Sequence, residues 1–217
     1  MHKQNMQNLN KEERALFKKL NTPKKIQDFV DTIPINFEPS GETFFSPREV
    51  LKQNRSHCIE AACLAAAILQ FHGQEPLIVD LTAVQDDEDH VVAVFRQHSH
   101  WGAISKTNHA VLRYREPIYK TIRELVLSYF HEYIKNDTRK KTLRSYTNPI
   151  NLKQFTAKGW ITDKKNLWYV VDKIFATKHI SLLSRKQIAT LRKADPIEIQ
   201  SGKLIEWEKK SLFTPLK

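Results

Sequence analysis

The stretch that decides the fold is CIEAACLAAAILQF, residues 58–71. Alanine and leucine are strong helix formers, and apolar residues lie all around the helix that this stretch would form. His72 and Gly73 follow it, and glycine is the residue that most often ends a helix. We therefore predict a helix from Cys58 to Phe71, buried in the centre of the protein.

Three segments with the alternation and β-branched content of strands follow this helix. They are PLIVDL (76–81), HVVAVF (90–95) and WGAIS (101–105), separated by the acidic loop QDDED and the polar turn RQHSH. Consecutive strands with short connections are typical of an antiparallel sheet on which helices pack. The predicted fold class is α+β, with the cysteine-bearing helix packed on an antiparallel sheet.

Further helices are predicted on both sides of this core. A Thr or Ser directly before a Pro marks two helix starts, at Thr22 and Ser46. The helical spacing of apolar residues predicts helices at 23–33, 47–53, 119–133, 166–176 and 184–193. The last three follow the strands, so the core is expected to carry extra C-terminal helices.

Composition restricts the class of protein. The 217 residues are 41% hydrophobic and 27% charged, which is typical of a globular chain and excludes a fibrous or disordered one. The longest apolar run has nine residues (61–69), against about 18 for a membrane span. The start of the chain does not resemble a secretory signal, the two cysteines are too far apart on one helix to pair, and no Cys or His spacing suits zinc. We predict a cytoplasmic protein with no membrane contact, no metal and no cofactor.

The net charge is unevenly distributed. Lys and Arg number 35 and Asp and Glu 24, giving +11. The first 110 residues hold 12 basic and 14 acidic residues, a net charge of −2, and the rest hold 23 and 10, a net charge of +13. Basic chains often bind nucleic acid, but no motif of a nucleic-acid-binding fold accompanies this charge. A solvated basic surface is therefore favoured over a nucleic-acid site.

Cys58 begins the predicted central helix, directly after the polar loop 54–57. Free backbone N–H groups and the positive end of the helix dipole lower the pKa of a thiol at this position, and the same N–H groups can stabilise an oxyanion. Cys58 is therefore the candidate nucleophile for acyl transfer, whereas Cys63 is predicted to be a buried apolar residue. A side-chain donor to the oxyanion is expected from Gln53 or Asn54, just upstream.

A thiol nucleophile also needs a base. His90 begins a predicted strand directly after the acidic loop and is the first candidate. His57 is the other candidate, although side chains adjacent in sequence at a helix start tend to point apart.

A third group should orient the imidazole, and the next strand of a hairpin can supply it. If the turn centres on His98, the numbers of facing residues sum to 196, which makes Asn108 the candidate. A shift of register by one residue would bring Ser105 or Thr107 to that position instead. Asp80, near the end of the preceding strand, is a further candidate.

Four runs of this chain, in order, resemble the core of the transglutaminase-like branch of the papain-like cysteine enzymes. They are RSHCIEAACLAAAIL, PLIVDL, DDEDHVVAVF and HWGAISKTNHAVLRYREP. In that branch a Cys begins the central helix, a His lies on a following strand and an Asp or Asn on the next. The segment from about Pro23 to Tyr169, about two-thirds of the chain, is similar to a bacterial family described as transglutaminase-like.

The resemblance implies that Cys58 is the nucleophile and His90 the base. This chain departs from the resemblance at the third residue of the catalytic triad. Relatives commonly have Asp four residues after a Trp, whereas here the residue four after Trp101 is Ser105. Either Asn108 or Asp80 then substitutes, or the triad is incomplete.

Residues and resemblance together predict a thiol-dependent hydrolase or acyltransferase (peptidase, amidase or transglutaminase-like) that acts on an amide through a Cys-His-(Asn/Asp) site. The expected substrate is a peptide or other amide, with an anionic one favoured by the net charge. The alternative is an inactive protein of this fold that binds a polyanion or a protein through its basic C-terminal half. The predicted organisation is an N-terminal extension (1–22), a transglutaminase-like domain (23–180) and a C-terminal helical, basic extension (181–217).

Overall fold

A computed structural model of the protein describes residue 6 and residues 8–208. The helices of this part are α1 (Lys11–Lys19), α2 (Pro23–Thr32), α3 (Pro47–Gln53), α4 (Cys58–Phe71), α5 (Ile122–Leu127), α6 (Trp168–Ala176), α7 (Arg185–Ala189) and α8 (Pro196–Gly202), with a 3₁₀ helix at Leu152–Lys158. Its strands are β1 (Leu77–Thr82), β2 (His90–Gln97), β3 (His100–Ile104), β4 (Arg115–Tyr119), β5 (Ser145–Thr147), β6 (Ile150–Asn151) and β7 (His179–Ser181).

The strands form one antiparallel sheet in the order β4-β3-β2-β1-β5-β7, with β6 also pairing with β1. The predicted α+β class with an antiparallel sheet is confirmed. The predicted boundary between residues 180 and 181 falls inside β7 (His179–Ser181). The first residue of the predicted C-terminal extension, Ser181, is therefore part of the sheet. No helix among the described residues is long and apolar enough to span a membrane.

The central helix α4 runs from Cys58 to Phe71, as predicted. Every residue from Ile59 to Leu69 is buried, because the helix is apolar on all sides and packs against β2, α3 and α2. The chain leaves the helix at Gly73 with φ +87°, a conformation that glycine adopts without the strain of a Cβ atom. Because the helix is buried along almost its whole length, its first residue, Cys58, has a fixed position.

Successive residues of the central strands alternate between two apolar clusters, one on each face of the sheet. Ile78 and Ala93 belong to the cluster that contains α4, whereas Val79 and Val94 belong to the cluster that contains Tyr129 from the chain after α5. The sheet is therefore buried on both faces at its centre.

The register of β2 and β3 differs by one residue from the predicted one. Ala93 faces Ile104, so the numbers of facing residues sum to 197 and not to 196. The two-residue turn consists of His98 (φ +50°) and Ser99 (φ +64°), as in a type I′ turn, so its centre lies between these residues and not on His98. The one-residue difference changes which side chain follows β3 on the face that carries the site.

The predicted helix at 119–133 is wrong in extent. Tyr119 ends strand β4, and α5 begins only after Thr121, whose hydroxyl accepts a hydrogen bond from the Glu124 N–H (3.1 Å). The helix ends at Leu127, and turns carry the remaining apolar stripe into the core. The helix predicted at 184–193 is likewise shorter, Arg185–Ala189, and the short strands β5 to β7 were not predicted because two or three residues carry no readable alternation.

Replacing Gly102 by alanine is expected to destabilise the sheet. An added Cβ would lie 2.5 Å from the Phe95 ring and 2.8 Å from the Arg115 carbonyl oxygen, and the second contact is with backbone. We expect the free energy of unfolding to fall by about 1 to 3 kcal/mol in urea titrations. Gly202→Ala is the matched control, since nothing lies within 4 Å of the Cβ added there. Equal effects of the two substitutions would contradict the clash.

Candidate active site

Cys58 lies at the first residue of α4, and its side chain is partly exposed on the wall of a cleft. The cleft has a volume of about 800 Å³, within the usual range for pockets that take small molecules or short peptide segments. The loop after α2, the acidic loop before β2, the segment after β3 and helix α8 all contribute to its walls. The thiol is therefore reachable from a cavity of substrate size.

Two histidines, His57 and His90, are within hydrogen-bonding reach of the Cys58 thiol. Burial by itself raises the pKa of this thiol, but the hydrogen bond from His57, the hydrogen bond from His90 and the charges of both rings together lower it well below its usual range. The thiolate, which is the nucleophilic form of cysteine, is thus favoured at neutral pH.

His90 is oriented by Ser105, the residue after β3. The His90 Nε2 atom lies 2.7 Å from Ser105 Oγ, and the Ser105 hydroxyl donates its single hydrogen to the Leu112 carbonyl. Because that hydrogen is committed to Leu112, Ser105 can only accept from His90, so Nε2 carries the hydrogen. The other nitrogen of His90, Nδ1, is then the one left to exchange a proton with a group bound at Cys58.

A buried glutamine clamps Ser105 in place. The Gln27 side chain, on α2, accepts from the Ser105 N–H (2.9 Å) and donates to the Ser105 carbonyl (2.9 Å). The signal in the sequence is a polar residue on the buried face of a predicted helix, beside Ile26 and Val30. Sequence reasoning missed this residue because its partner lies 78 positions away.

The other candidates for the third position have different partners: the Thr107 hydroxyl accepts from the His109 N–H (3.0 Å), and Asn108 and Asp80 bond elsewhere. The Asn108 side chain donates to the Trp207 carbonyl (2.9 Å) and accepts from the Trp207 N–H (2.9 Å). Asp80 accepts from the Thr82 hydroxyl (2.8 Å) and pairs with His179 Nε2 (3.1 Å), and burial raises the pKa of its carboxyl. The structure places Ser105, and none of these three, against His90.

The two residues expected to donate to an oxyanion, Gln53 and Asn54, lie outside the residues that line the cleft. Gln53 is exposed and bonds to Glu49 (3.5 Å), while Asn54 ends α3 in the left-handed conformation (φ +49°). The donors available next to Cys58 are instead the backbone N–H groups that begin α4, since the first turn of a helix leaves these groups without helical partners.

His57 directly precedes Cys58 but does not point away from it, contrary to the expectation for adjacent side chains. Its backbone N–H bonds to the Glu60 carboxylate (3.0 Å), and its Nε2 lies 2.7 Å from the Thr43 carbonyl oxygen. Burial opposes a charge on this ring, but the hydrogen bond to Cys58, the nearby charges of Cys58 and Glu60, and Thr43 together raise the pKa of His57 to about 9. The sequence does contain a signal for this arrangement: a His three residues before a Glu at a predicted helix start, which is the spacing of a capping box.

The charged residues that line the cleft are mostly acidic. Its lysine, Lys106, is buried, donates to the carbonyls of Val30 and Ile33 at the end of α2, and lies 4.1 Å from the centre of the Trp207 ring. The carboxylates that line the cleft are Glu38, Asp87, Glu88, Asp89, Glu132 and Glu198. The basic excess of the C-terminal half is therefore not concentrated around the thiol.

The part of the chain that the structure describes contains no group of three or more His, Cys, Asp or Glu residues arranged to hold a metal ion. No protein-family model matches the chain, and no curated protein sequence matches it.

Proposed function

We propose that the protein is a thiol-dependent hydrolase or acyltransferase that acts on an amide, with Cys58 as nucleophile, His90 as proton shuttle and Ser105 as the residue that positions His90. The single observation that carries this is the chain of contacts Cys58–His90–Ser105, in which Cys58 and His90 line one cleft and Ser105 is buried behind His90. A nucleophile, a base and a residue that orients the base, all within hydrogen-bonding reach, are the parts that covalent acyl transfer requires.

The proposed reaction has two steps, acylation of Cys58 and then cleavage of the thioester. The Cys58 thiolate forms a C–S bond with the amide carbonyl carbon, the C–N bond breaks, and the leaving amine takes a proton from protonated His90. Water or a second amine then attacks the thioester and gives its proton to His90, which regenerates the thiolate and the protonated ring. The N–H groups at the start of α4 are placed to stabilise the oxyanion of both steps.

The same proposal includes a papain-like core of the transglutaminase-like type. The order of the site along the chain supports it: a Cys at the start of a helix packed on the sheet, a His at the start of β2, and a polar residue just after β3. A serine takes the place at which relatives commonly have aspartate, so the third group here is neutral.

The charges of the cleft favour a neutral or cationic group next to the reactive amide. Its lining includes six carboxylates, while Lys106 is turned toward backbone carbonyls. Like charges placed close together repel, so an anionic substrate, favoured by net charge alone, is expected to bind less well than its cationic counterpart.

Trapping the acyl-enzyme tests the proposal. The protein is incubated with a panel of aminomethylcoumarin-labelled and glutamine-containing peptides, each made with Lys and with Glu next to the amide, and its mass is recorded. We expect acyl adducts on Cys58, more of them with the Lys peptides, retained in Cys63→Ala and absent in Cys58→Ser. Folded protein that forms no Cys58 adduct with any peptide would contradict an enzyme and favour the binding function.

A further inference from the structure

We infer that His57 is a second catalytic group of this site: a fixed cation that holds Cys58 as a thiolate while His90 alone moves the proton. This rests on the proposed function for the role of His90, but the state of the Cys58–His57 pair does not depend on any substrate. In this site two histidines share two tasks, stabilising the thiolate and moving the proton, that a single histidine performs in an ordinary Cys-His pair.

The Thr43 carbonyl accounts for one nitrogen of the His57 ring and leaves the other for Cys58. Its Nε2 atom lies 2.7 Å from the Thr43 carbonyl oxygen, which can only accept, so Nε2 carries a hydrogen. Nδ1 is then the nitrogen left for Cys58. One proton lies between Nδ1 and the sulfur, and its position decides whether the pair is neutral or is an imidazolium with a thiolate.

Two carboxylates favour the imidazolium form. Oε1 of Glu38 and Oε1 of Glu60 each lie 3.5 Å from His57 Nε2, and the Glu60 side chain is 0% exposed. A buried negative charge at this distance stabilises a cation much more than a surface carboxylate does, because little water screens it. The raised pKa of His57, about 9, agrees with this geometry.

The Glu60 carboxylate accepts hydrogen bonds from four donors. They are the Asn36 amide (3.1 Å), the Thr43 hydroxyl (2.9 Å), the Phe45 N–H (2.9 Å) and the His57 N–H (3.0 Å). These four contacts come from the chain before α4 and fix the position of both carboxylate oxygens. The Glu60 carboxylate is thus held beside His57 by the fold, and its position does not depend on substrate.

Among residues 8–208, no carboxylate forms an ion pair with the His90 ring. Its Nε2 bonds to the neutral Ser105 hydroxyl, so nothing in that contact holds the ring in its charged form. A ring that must gain and lose a proton in every cycle is suited to this neutral partner, and a ring that must stay charged is suited to Glu60. The neutral third residue therefore fits a site in which another histidine supplies the permanent charge.

Two further titratable groups that face this pair, Cys63 and Tyr133, are neutral near pH 7. Cys63, one turn along α4, is coupled to Cys58 and Glu60, and burial raises the pKa of its thiol to about 12. Tyr133 faces Cys58 and the acidic loop, and burial raises the pKa of its phenol well above the usual value. Near pH 7 neither of these groups therefore supplies a proton to the Cys58–His57 pair or takes one from it.

Measuring the thiol pKa and the pH profile of activity in matched variants tests the inference. The thiolate is followed by its absorbance near 240 nm in Cys63→Ala protein, so that only Cys58 contributes. We expect His57→Gln to raise the thiol pKa by about one unit or more, and by more than His90→Gln does. Acyl transfer by His57→Gln should recover at alkaline pH, where the thiol ionises unaided, whereas His90→Gln should stay slow at every pH.

Two controls complete the design. His98→Asn, in the exposed turn after β2, should leave the thiol pKa unchanged, and Glu38→Gln, which removes one carboxylate, should raise it by less than His57→Gln does. A thiol pKa in His57→Gln within 0.3 units of the parent would overturn the inference. If no variant transfers acyl groups but the thiol pKa still shifts, the proposed enzyme fails while the thiolate–imidazolium pair stands.

Discussion

His90→Gln is expected to lower kcat for acyl transfer by about 1000-fold, the largest effect on activity among variants that keep the Cys58 thiol. Glutamine keeps a polar side chain of similar length but cannot take up and release a proton near pH 7. The leaving amine then departs without its proton donor, and the attacking water loses its base. Burst kinetics with the peptides that form Cys58 adducts would measure the loss.

Ser105→Ala provides the comparison, because Ser105 acts only through His90. Loss of one neutral hydrogen bond of about 1 kcal/mol should lower kcat by about fivefold to tenfold and leave KM unchanged. Ser105→Thr keeps the hydroxyl and should restore most of the rate. If His90→Gln lost no more activity than Ser105→Ala, His90 would not be the proton shuttle.

Glu60→Ala is expected to lower the free energy of unfolding by about 3 to 5 kcal/mol, the largest effect on stability among these variants. The carboxylate is fully buried, and its removal leaves the Asn36 amide, the Thr43 hydroxyl and two backbone N–H groups without their acceptor. The charged His57 ring also loses a neighbouring anion. Urea titration at pH 7, followed by fluorescence of the four tryptophans, would measure the change.

Glu60→Gln separates charge from packing, since the amide keeps the shape and one acceptor. Part of its loss of stability should depend on pH. The pKa of His57 is raised from 6.5 to about 9 in the folded protein, so the stabilisation from its charge is complete below 6.5 and is lost as pH rises through 9. The difference between parent and variant should therefore shrink above pH 9. An equal loss at pH 6 and pH 10 would show that the charge of His57 does not matter.

Local signals were enough to predict the helix that carries the thiol. An Ala-rich apolar run with a glycine after it determines both ends of α4, because helix propensity and the glycine stop act within a few residues. The strands that carry His90 and precede Ser105 were predicted for the same reason, from the alternation of β-branched residues. The Cys58–His90 contact itself was predicted from the order of elements and the resemblance, and the structure brings these two side chains together.

What sequence reasoning missed depends on contacts that spacing does not encode. The β2–β3 register depends on a turn in which His98 and Ser99, neither of them glycine, adopt positive φ, and their residue types do not mark its centre. The position of Ser105 depends on Gln27, a partner from a distant helix. His57 turns toward Cys58 because Thr43 and Glu60 hold its ring and backbone, which adjacency alone could not show.

The cleft is completed late in the synthesis of the chain. Glu198, Ile199, Ser201 and Gly202 of α8 line it, and Glu198 is synthesised 93 residues after Ser105. At the usual rate of translation this takes about 5 to 20 seconds, during which the thiol, both histidines and Ser105 have already been made. A chain still on the ribosome thus contains every reactive group while one wall is missing. The cleft has all of its walls only when α8 takes its place.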